Sequence, residues 1–306
     1  MSFLYFLENL RNPVCDTLFS LITHLGEETV FILVGILFFW CINKREGYYM
    51  LTVGLVGTVI NQFLKMWFRI PRPWVKDPNF TIVESARAEA TGYSFPSGHT
   101  QSAVGTFGSI ARWNKQLWIR IVCIAVCLLV PLSRMWLGVH TPADVGVSIL
   151  VAILLVFGLY PIMNKAMDSK ATMRVLMGVL CAATVGFLLF VYLYPFPADT
   201  DPHNYESAMK NAWKMLGCLS ALWLTYELDS AHTHFDTKAV WWAQALKLTL
   251  GLVPILLIKS LLKTPLQGLI GDIYVADGVR YFLITAFAGC VWPLTFAFWS
   301  KLGQKK

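Results

Sequence analysis

An all-α, polytopic transmembrane helix bundle is the fold class this sequence predicts, and three observations carry the prediction. Of 306 residues, 56% are hydrophobic and only 14% are charged, whereas a soluble domain carries about a quarter charged residues. The apolar residues gather into runs long enough to cross a bilayer, which takes about 20 residues. The basic residues stand in short clusters between those runs, as they do where a membrane protein marks its cytoplasmic side. The formal net charge of +7 therefore argues for a membrane and not for nucleic acid, since no basic patch is interleaved with aromatic residues.

The runs predict about nine spans, near 28–43, 47–69, 96–113, 117–136, 143–163, 174–194, 209–228, 239–262 and 276–299. The first is short, and the third opens with polar residues. Residues 2–26 carry Glu8, Arg11, Asp16 and Pro13, and such charges are costly at the bilayer centre. Two amphipathic helices lying in the interface are expected there, with a tenth span as the alternative. No charged leader precedes an apolar core, so no removable signal peptide is expected. Three parts follow: interfacial helices over 1–27, a helical core over 28–163, and a four-span extension over 164–306.

Loop charge gives an orientation. Loops 44–46, 112–120 and 164–174 hold Lys44, Arg45, Arg112, Lys115, Arg120, Lys165, Lys170 and Arg174 against only Glu46 and Asp168. In the opposite set, Asp77, Glu84 and Glu89 offset the basic residues of 70–95, and loop 195–208 is acidic. Short basic loops stay in the cytoplasm, which also puts the C-terminal KLGQKK inside. A multi-pass protein of the cell membrane is expected. Its seven cysteines, Cys15, Cys41, Cys123, Cys127, Cys181, Cys218 and Cys290, show no paired spacing in polar loops. They read as small hydrophobes, not as disulfides or a zinc site.

Polar residues interrupt the apolar pattern at three membrane edges: Lys65 to Arg72-Pro73, then Pro96-Ser97-Gly98-His99, then Ser133-Arg134 to His140 and Asp144. The expected topology brings all three to one face, the extracytoplasmic one. Lys65, Arg72 and Arg134 are three cations suited to a multiply charged anion, and guanidinium forks match phosphate oxygens. Pro71 and Pro73 are expected to end the helix and fix Arg72 in a turn. Ser97 and Gly98 open a helix whose free N–H groups favour the same anion, and Gly98 lets it approach the backbone. His140 and Asp144, spaced i, i+4, are expected on one helical face. The carboxylate would fix the imidazole tautomer and leave the other ring nitrogen free to attack. His99 would protonate the leaving oxygen and then activate water. The three cations supply charge stabilisation that a metal otherwise gives, so neither metal nor cofactor is expected.

This pattern, KxxxxxxRP, PSGH and SRxxxxxHxxxD, resembles that of the type 2 phosphatidic acid phosphatase superfamily. It fixes eleven residues in three blocks with every internal spacing met, and the resemblance covers roughly residues 28–163. It implies a membrane-embedded lipid phosphatase. His140, His99 and Asp144 would be its catalytic residues, and Lys65, Arg72, Ser97, Gly98 and Arg134 would bind phosphate. Members act on phosphatidic acid, phosphatidylglycerol phosphate, isoprenyl diphosphates, sphingoid phosphates and glucose 6-phosphate, and soluble haloperoxidases bind vanadate in the same pocket. A substrate headgroup anchored in the bilayer would reach a pocket at its surface most easily, so the expected partners are a lipid phosphate and the membrane. A lipid transporter or flippase with a vestigial core is the competing class, against which the intact pattern argues. A haloperoxidase would resemble the soluble members.

Other features read more plainly. His232, His234 and Asp236 suit a solvated loop better than a metal site. Lys247 lies inside a span, at a cost of about 2.5–3.5 kcal/mol on insertion scales, with Glu227 or Asp229 as candidate partner. Glu27 and Glu28 suit a helix cap, although they could also bias the pocket. Glu84, Arg87 and Glu89 suit a solvated turn better than a substrate entrance.

Overall fold

The computed structural model describes residues 1–302 apart from Glu89, Thr91 and Asp199. Among the described residues there are helices and no strand. In chain order the helices are α1 (Ser2–Asn9), α2 (Pro13–Thr23), α3 (Glu28–Leu37), α4 (Lys44–Phe68), α5 (Pro73–Lys76), α6 (Gly98–Trp113) and α7 (Leu117–Trp136). Then follow α8 (Pro142–Met167), α9 (Lys170–Leu193), α10 (Pro202–Leu228), α11 (Trp241–Leu261), α12 (Lys263–Ile270), α13 (Ile273–Ala286) and α14 (Phe296–Lys301).

Six segments are long and apolar enough to cross a membrane: Lys44–Lys76, Leu117–Trp136, Pro142–Met167, Lys170–Leu193, Trp241–Leu261 and Ile273–Lys301. A seventh arises if Pro13–Gly26 and Glu28–Ile42, bent by 49° at their junction, count as one broken span. The other expected spans are helical but fall short for identifiable reasons. The 28–43 run is ten residues of α3 followed by a π turn, Phe38–Ile42. The helix of the 96–113 run, α6, has 16 residues and opens with His99, Thr100, Gln101 and Ser102. The 209–228 run lies in the longer α10, whose 27 residues include Glu206, Lys210, Lys214 and Glu227. Helices α1 and α2 have 8 and 11 residues, too short to span alone. They are separated at Pro13, where the Asn12 side chain caps α2 by accepting from Cys15 N at 3.0 Å. Phe3, Phe6, Leu10, Val14, Leu18 and Leu21 are exposed on them.

The chain divides into two compact units. The first comprises Met1–Leu33, Val56–Pro161 and Pro195–Ala208. Within it Leu7, Ala86, Ala90, Trp136, Leu137 and Val139 form a buried cluster joined by Phe19, Trp74 and Met135. Leu4, Phe80 and Ile82 form a second. Both clusters tie the N-terminal helices to the 73–90 loop and to the end of α7. The second unit comprises Val34–Leu55, Ile162–Tyr194 and Met209–Lys306. Small residues let its helices approach closely. A Cβ on Gly289 would lie 2.1 Å from Thr225 Oγ1, and one on Gly217 would lie 2.2 Å from Gly278 O.

Two ion pairs bear on the partner of Lys247. Lys44 Nζ bonds Asp229 Oδ2 at 2.7 Å, and Arg174 holds Glu227 through two bonds of 2.7 and 2.8 Å. Both carboxylates considered for Lys247 are therefore engaged elsewhere. Lys247, fully buried, instead donates to Thr237 O at 3.1 Å and lies 4.3 Å from the Phe296 ring centroid. A backbone carbonyl and an aromatic face thus take the place of the expected ion pair.

Candidate active site

All eight residues singled out in the three motifs fall in the first unit. Lys65, in the last turn of α4, donates to Tyr93 O at 2.6 Å. The helix does not run on to the prolines. It stops at Phe68, followed by Arg69 at φ 50° in the left-handed region. Pro73 then starts the short α5, where its missing N–H costs nothing, and Arg72 is the residue before it. The Arg72 guanidinium is buried and held by main chain: Nε donates to Gly92 O at 2.9 Å and Nη1 to Val139 O at 2.9 Å. Nη1 also lies 3.0 Å from His140 Nε2.

Ser97 caps α6, its hydroxyl accepting from Thr100 N at 3.4 Å, and its own N–H donates to Asp144 O at 3.2 Å. Gly98 follows. A Cβ there would meet nothing nearer than Asn61 Oδ1 at 3.9 Å, so packing within the chain does not demand glycine. His99 is half-buried on the same first turn. Arg134, 1% exposed, ends α7 and donates from Nη1 to Thr23 Oγ1 at 2.9 Å. Gly138 at φ 82° then turns the chain sharply. That turn requires glycine's freedom, and it delivers His140 beside Arg72.

The His140–Asp144 contact differs in kind from the expected helical pair. His140 precedes α8, and Asp144 lies in its first turn. Thr141 and Asp144 cap one another: Thr141 N donates to Asp144 Oδ2 at 2.7 Å and Asp144 N to Thr141 Oγ1 at 3.3 Å, a capping-box exchange. Asp144 Oδ2 also accepts from Ser94 Oγ at 2.5 Å and lies 3.5 Å from His140 Nδ1. That oxygen thus accepts from two other groups, and the imidazole stands off at ion-pair distance.

Burial holds His140 well below the usual imidazole range, and the charges of Arg72, Arg134 and Lys65 act in the same direction. Both causes favour a neutral ring. Because a guanidinium can only donate, Nε2 bears the lone pair and Nδ1 the proton facing Asp144. This is the tautomer a nitrogen nucleophile at Nε2 requires.

The motifs did not reveal Ser94, Thr141 or Thr23. Ser94 and Thr141 are ordinary loop residues by composition. Their position one to three residues from a motif was the available signal. Thr23 had none.

Of the other residues singled out in the sequence, several have partners of their own. Glu84 and Arg87 form a two-bonded exposed pair, 2.7 and 2.8 Å, which holds the Glu84 carboxyl below its ordinary range. Glu89, Lys305 and Lys306 lie outside the described residues. Glu27 pairs with His24, and Glu28 opens α3 as an acidic first-turn residue. His232, His234 and Asp236 line a pocket of the second unit with Phe296 and Ser300. Among the described residues no group of three or more His, Cys, Asp or Glu is placed to hold a metal ion. The seven cysteines are free thiols.

A helical membrane protein with a basic, two-histidine cluster is the class so defined. The PAP2 superfamily model matches residues 45–168, and that of the PAP2 superfamily phosphatase transmembrane extension matches 213–305. The chain is 32% identical to undecaprenyl-diphosphatase BcrC of Bacillus subtilis (strain 168), over 48% of this chain and 74% of that one. It is 28% identical to phosphatidylglycerophosphatase B of the same organism, over 53% and 79%. It is 30% identical to a probable sphingosine-1-phosphate phosphatase of Dictyostelium discoideum, over 48% of this chain but only 38% of that protein. No solved structure matches. The chain belongs to the PAP2 superfamily, and it is a membrane lipid phosphatase, a hydrolase of phosphoric monoesters or diphosphates.

Proposed function

We propose that this phosphatase works through a phosphohistidine on His140, without a metal, on a lipid phosphate presented from the extracytoplasmic side. The observation that carries the reading is the Arg72–His140–Asp144 arrangement, which holds a neutral imidazole with its lone pair toward a phosphate-binding guanidinium. Lys65, Arg72, Arg134 and the N–H groups after Ser97 and Gly98 bind the phosphoryl oxygens. His140 Nε2 attacks phosphorus, and the ester or anhydride P–O bond breaks as His99, protonated once the bound phosphate offsets the three cations beside it, gives that proton to the leaving oxygen. His99 then takes a proton from water, whose oxygen attacks the phosphohistidine and releases phosphate with His140 restored. The open Cα face of Gly98 fits a phosphate resting against backbone.

The substrate class is a phosphate monoester or diphosphate of a membrane lipid: phosphatidic acid, phosphatidylglycerol phosphate, an isoprenyl diphosphate or a sphingoid phosphate. The relatives' names span three of these, which supports the class and does not select a member. The topology that fits this reading has about nine spans and an outside N-terminus, with α1 and α2 in the interface. Its exposed apolar side chains on α1 and α2 and the basic loops of the opposite face favour it. Residues 1–27, 28–163 and 164–306 are then the interfacial segment, catalytic core and extension.

Purified protein tested against those four lipids, with alkali-quenched trapping of labelled phosphoenzyme, examines the proposal. Phosphate release with a trapped, acid-labile and base-stable intermediate is expected. Transfer of lipid between leaflets without phosphate release would replace this reading with a transporter.

A further inference from the structure

We propose that Thr23 to Gly26, which precede the family-matched region beginning at residue 45, are a working part of the active site. Thr23 is a positioning residue for Arg134, and Gly26 sets the approach to His99. The inference rests on the proposed roles of those two residues.

Arg134 is 1% exposed and Thr23 3%, so their 2.9 Å bond is shielded from water. A buried guanidinium needs acceptors to hold it. The kind of acceptor matters here. A carboxylate would neutralise the charge and compete with phosphate for it, whereas a hydroxyl fixes the guanidinium and leaves its charge available. The carboxylate four residues on, Glu27, is engaged by His24.

Gly26 makes the second contact. A Cβ on it would lie 2.7 Å from His99 O, 2.8 Å from Val130 Cγ1 and 3.0 Å from His99 Cβ. Two of these neighbours are backbone oxygen and a Cβ, neither of which can swing aside. Any side chain at 26 would push this segment off the first turn of α6.

The segment can act as a positioning element because it is itself fixed. Arg11 donates from Nε to Trp136 O at 2.9 Å and from Nη1 to Thr81 O at 2.8 Å. Asp16 Oδ1 accepts from Trp136 Nε1 at 2.8 Å, and the Phe19 ring packs 4.7 Å from that of Trp136. Tyr5 donates to Asp77 Oδ2 at 2.8 Å. The charges that made residues 2–26 unsuitable for a span therefore anchor them to the loops that carry the motifs. Helix α2 is a strut from Trp136 to Arg134 and His99.

The test compares Thr23→Val, Thr23→Ser, Gly26→Ala and Arg134→Ala in the full-length protein, reading kcat, KM, inhibition by orthovanadate and melting temperature. Valine keeps the shape and removes the acceptor. It should lower kcat/KM and weaken vanadate inhibition about tenfold or more, as loss of a bond to a buried charge does, with the melting temperature lowered by only a few degrees. Serine should restore both. Gly26→Ala should slow phosphoenzyme breakdown more than its formation. Vanadate sensitivity kept by Thr23→Val but lost by Arg134→Ala would overturn this inference alone. Sensitivity kept by Arg134→Ala would instead overturn the phosphate-binding reading. A lowered melting temperature with unchanged vanadate affinity would make Thr23 merely structural. Should valine prevent accumulation, Thr23→Ala deletes the same acceptor and is judged by the same outcomes.

Discussion

Arg72 Nη1 lies 3.0 Å from His140 Nε2 while the same nitrogen donates to Val139 O. An arginine expected only to clamp phosphate thus also selects the tautomer of the proposed nucleophile. On the proposed mechanism, phosphate entering the pocket would take over the Arg72 donor now facing the imidazole and release the Nε2 lone pair as the phosphorus arrives. Binding and activation would then be one event.

The role of His140 is tested by its removal. His140→Ala should lose at least about a thousandfold in kcat, as loss of a nucleophile does, and should trap no phosphoenzyme. His99→Ala should still form some with a good leaving group and hydrolyse it slowly. A His140→Ala protein with more than trace turnover would reassign the roles.

In the proposed mechanism Asp144 orients His140 through the oxygen that Ser94 and Thr141 hold 3.5 Å from the ring. Asp144→Asn should lower kcat by at least about a hundredfold, since the amide can hold the wrong imidazole tautomer, and Ser94→Ala by about tenfold, as loss of one bond to a charged group does. KM should change little in both. A Ser94→Ala effect confined to KM would place that serine at the substrate instead.

Stability should carry the signature of a buried neutral histidine. In the unfolded chain His140 titrates near 6.5; in the folded protein it resists protonation. Above about pH 6.5 the two states bind the same number of protons at this site. As pH falls below that, the unfolded chain gains a proton and the fold loses stability, by up to about 1.4 kcal/mol per pH unit. The melting temperature of the native protein should therefore fall more steeply from pH 7 to 5 than that of His140→Gln. Parallel curves would mean that His140 is protonated in the fold.

Activity should survive chelation. With Lys65, Arg72 and Arg134 stabilising the transferring phosphoryl group, EDTA should leave the rate nearly unchanged. Orthovanadate should inhibit, because its adduct with His140 resembles the transition state. Loss of activity in EDTA with recovery on adding magnesium would remove the metal-free mechanism.

Sidedness is accessible to an impermeant thiol reagent on a cysteine-free background. Asn79 is exposed in the 70–95 loop, and Asn79→Cys should label in intact cells. On the basic loop the better probe is Lys165→Cys, also exposed, because Ser169 caps α9 through Thr172 N at 3.3 Å. It should label only after the membrane is opened. The reverse pattern would turn the pocket toward the cytoplasm.

The sequence was most legible where chemistry demands particular residue types at fixed spacings. Lys65, Arg72, Ser97, His99, Arg134, His140 and Asp144 could be named because each interrupts an apolar run. Their supports were hidden, because a threonine such as Thr23 that binds a guanidinium from 111 residues away leaves no mark in composition. Spacing also misled in one respect. The i, i+4 interval suggested a helical pair for His140 and Asp144, but the Thr141 cap starts the helix between them. Hydropathy located every helix of the expected spans, the polar, 16-residue α6 among them.

The two main-chain bonds of Arg72 have a consequence for how the enzyme comes into being. They join it to Gly92, 20 residues on, and to Val139, 67 residues on. A nascent chain that has threaded only as far as α6 has no carbonyl of Val139 to receive the guanidinium and no imidazole beside it. Such distant contacts close late. Hydrolysis should therefore be silent during biogenesis until α7 and the turn at Gly138 have entered the bilayer, and ribosome-arrested chains ending before that turn should be inert even though they already contain Lys65, Arg72 and His99.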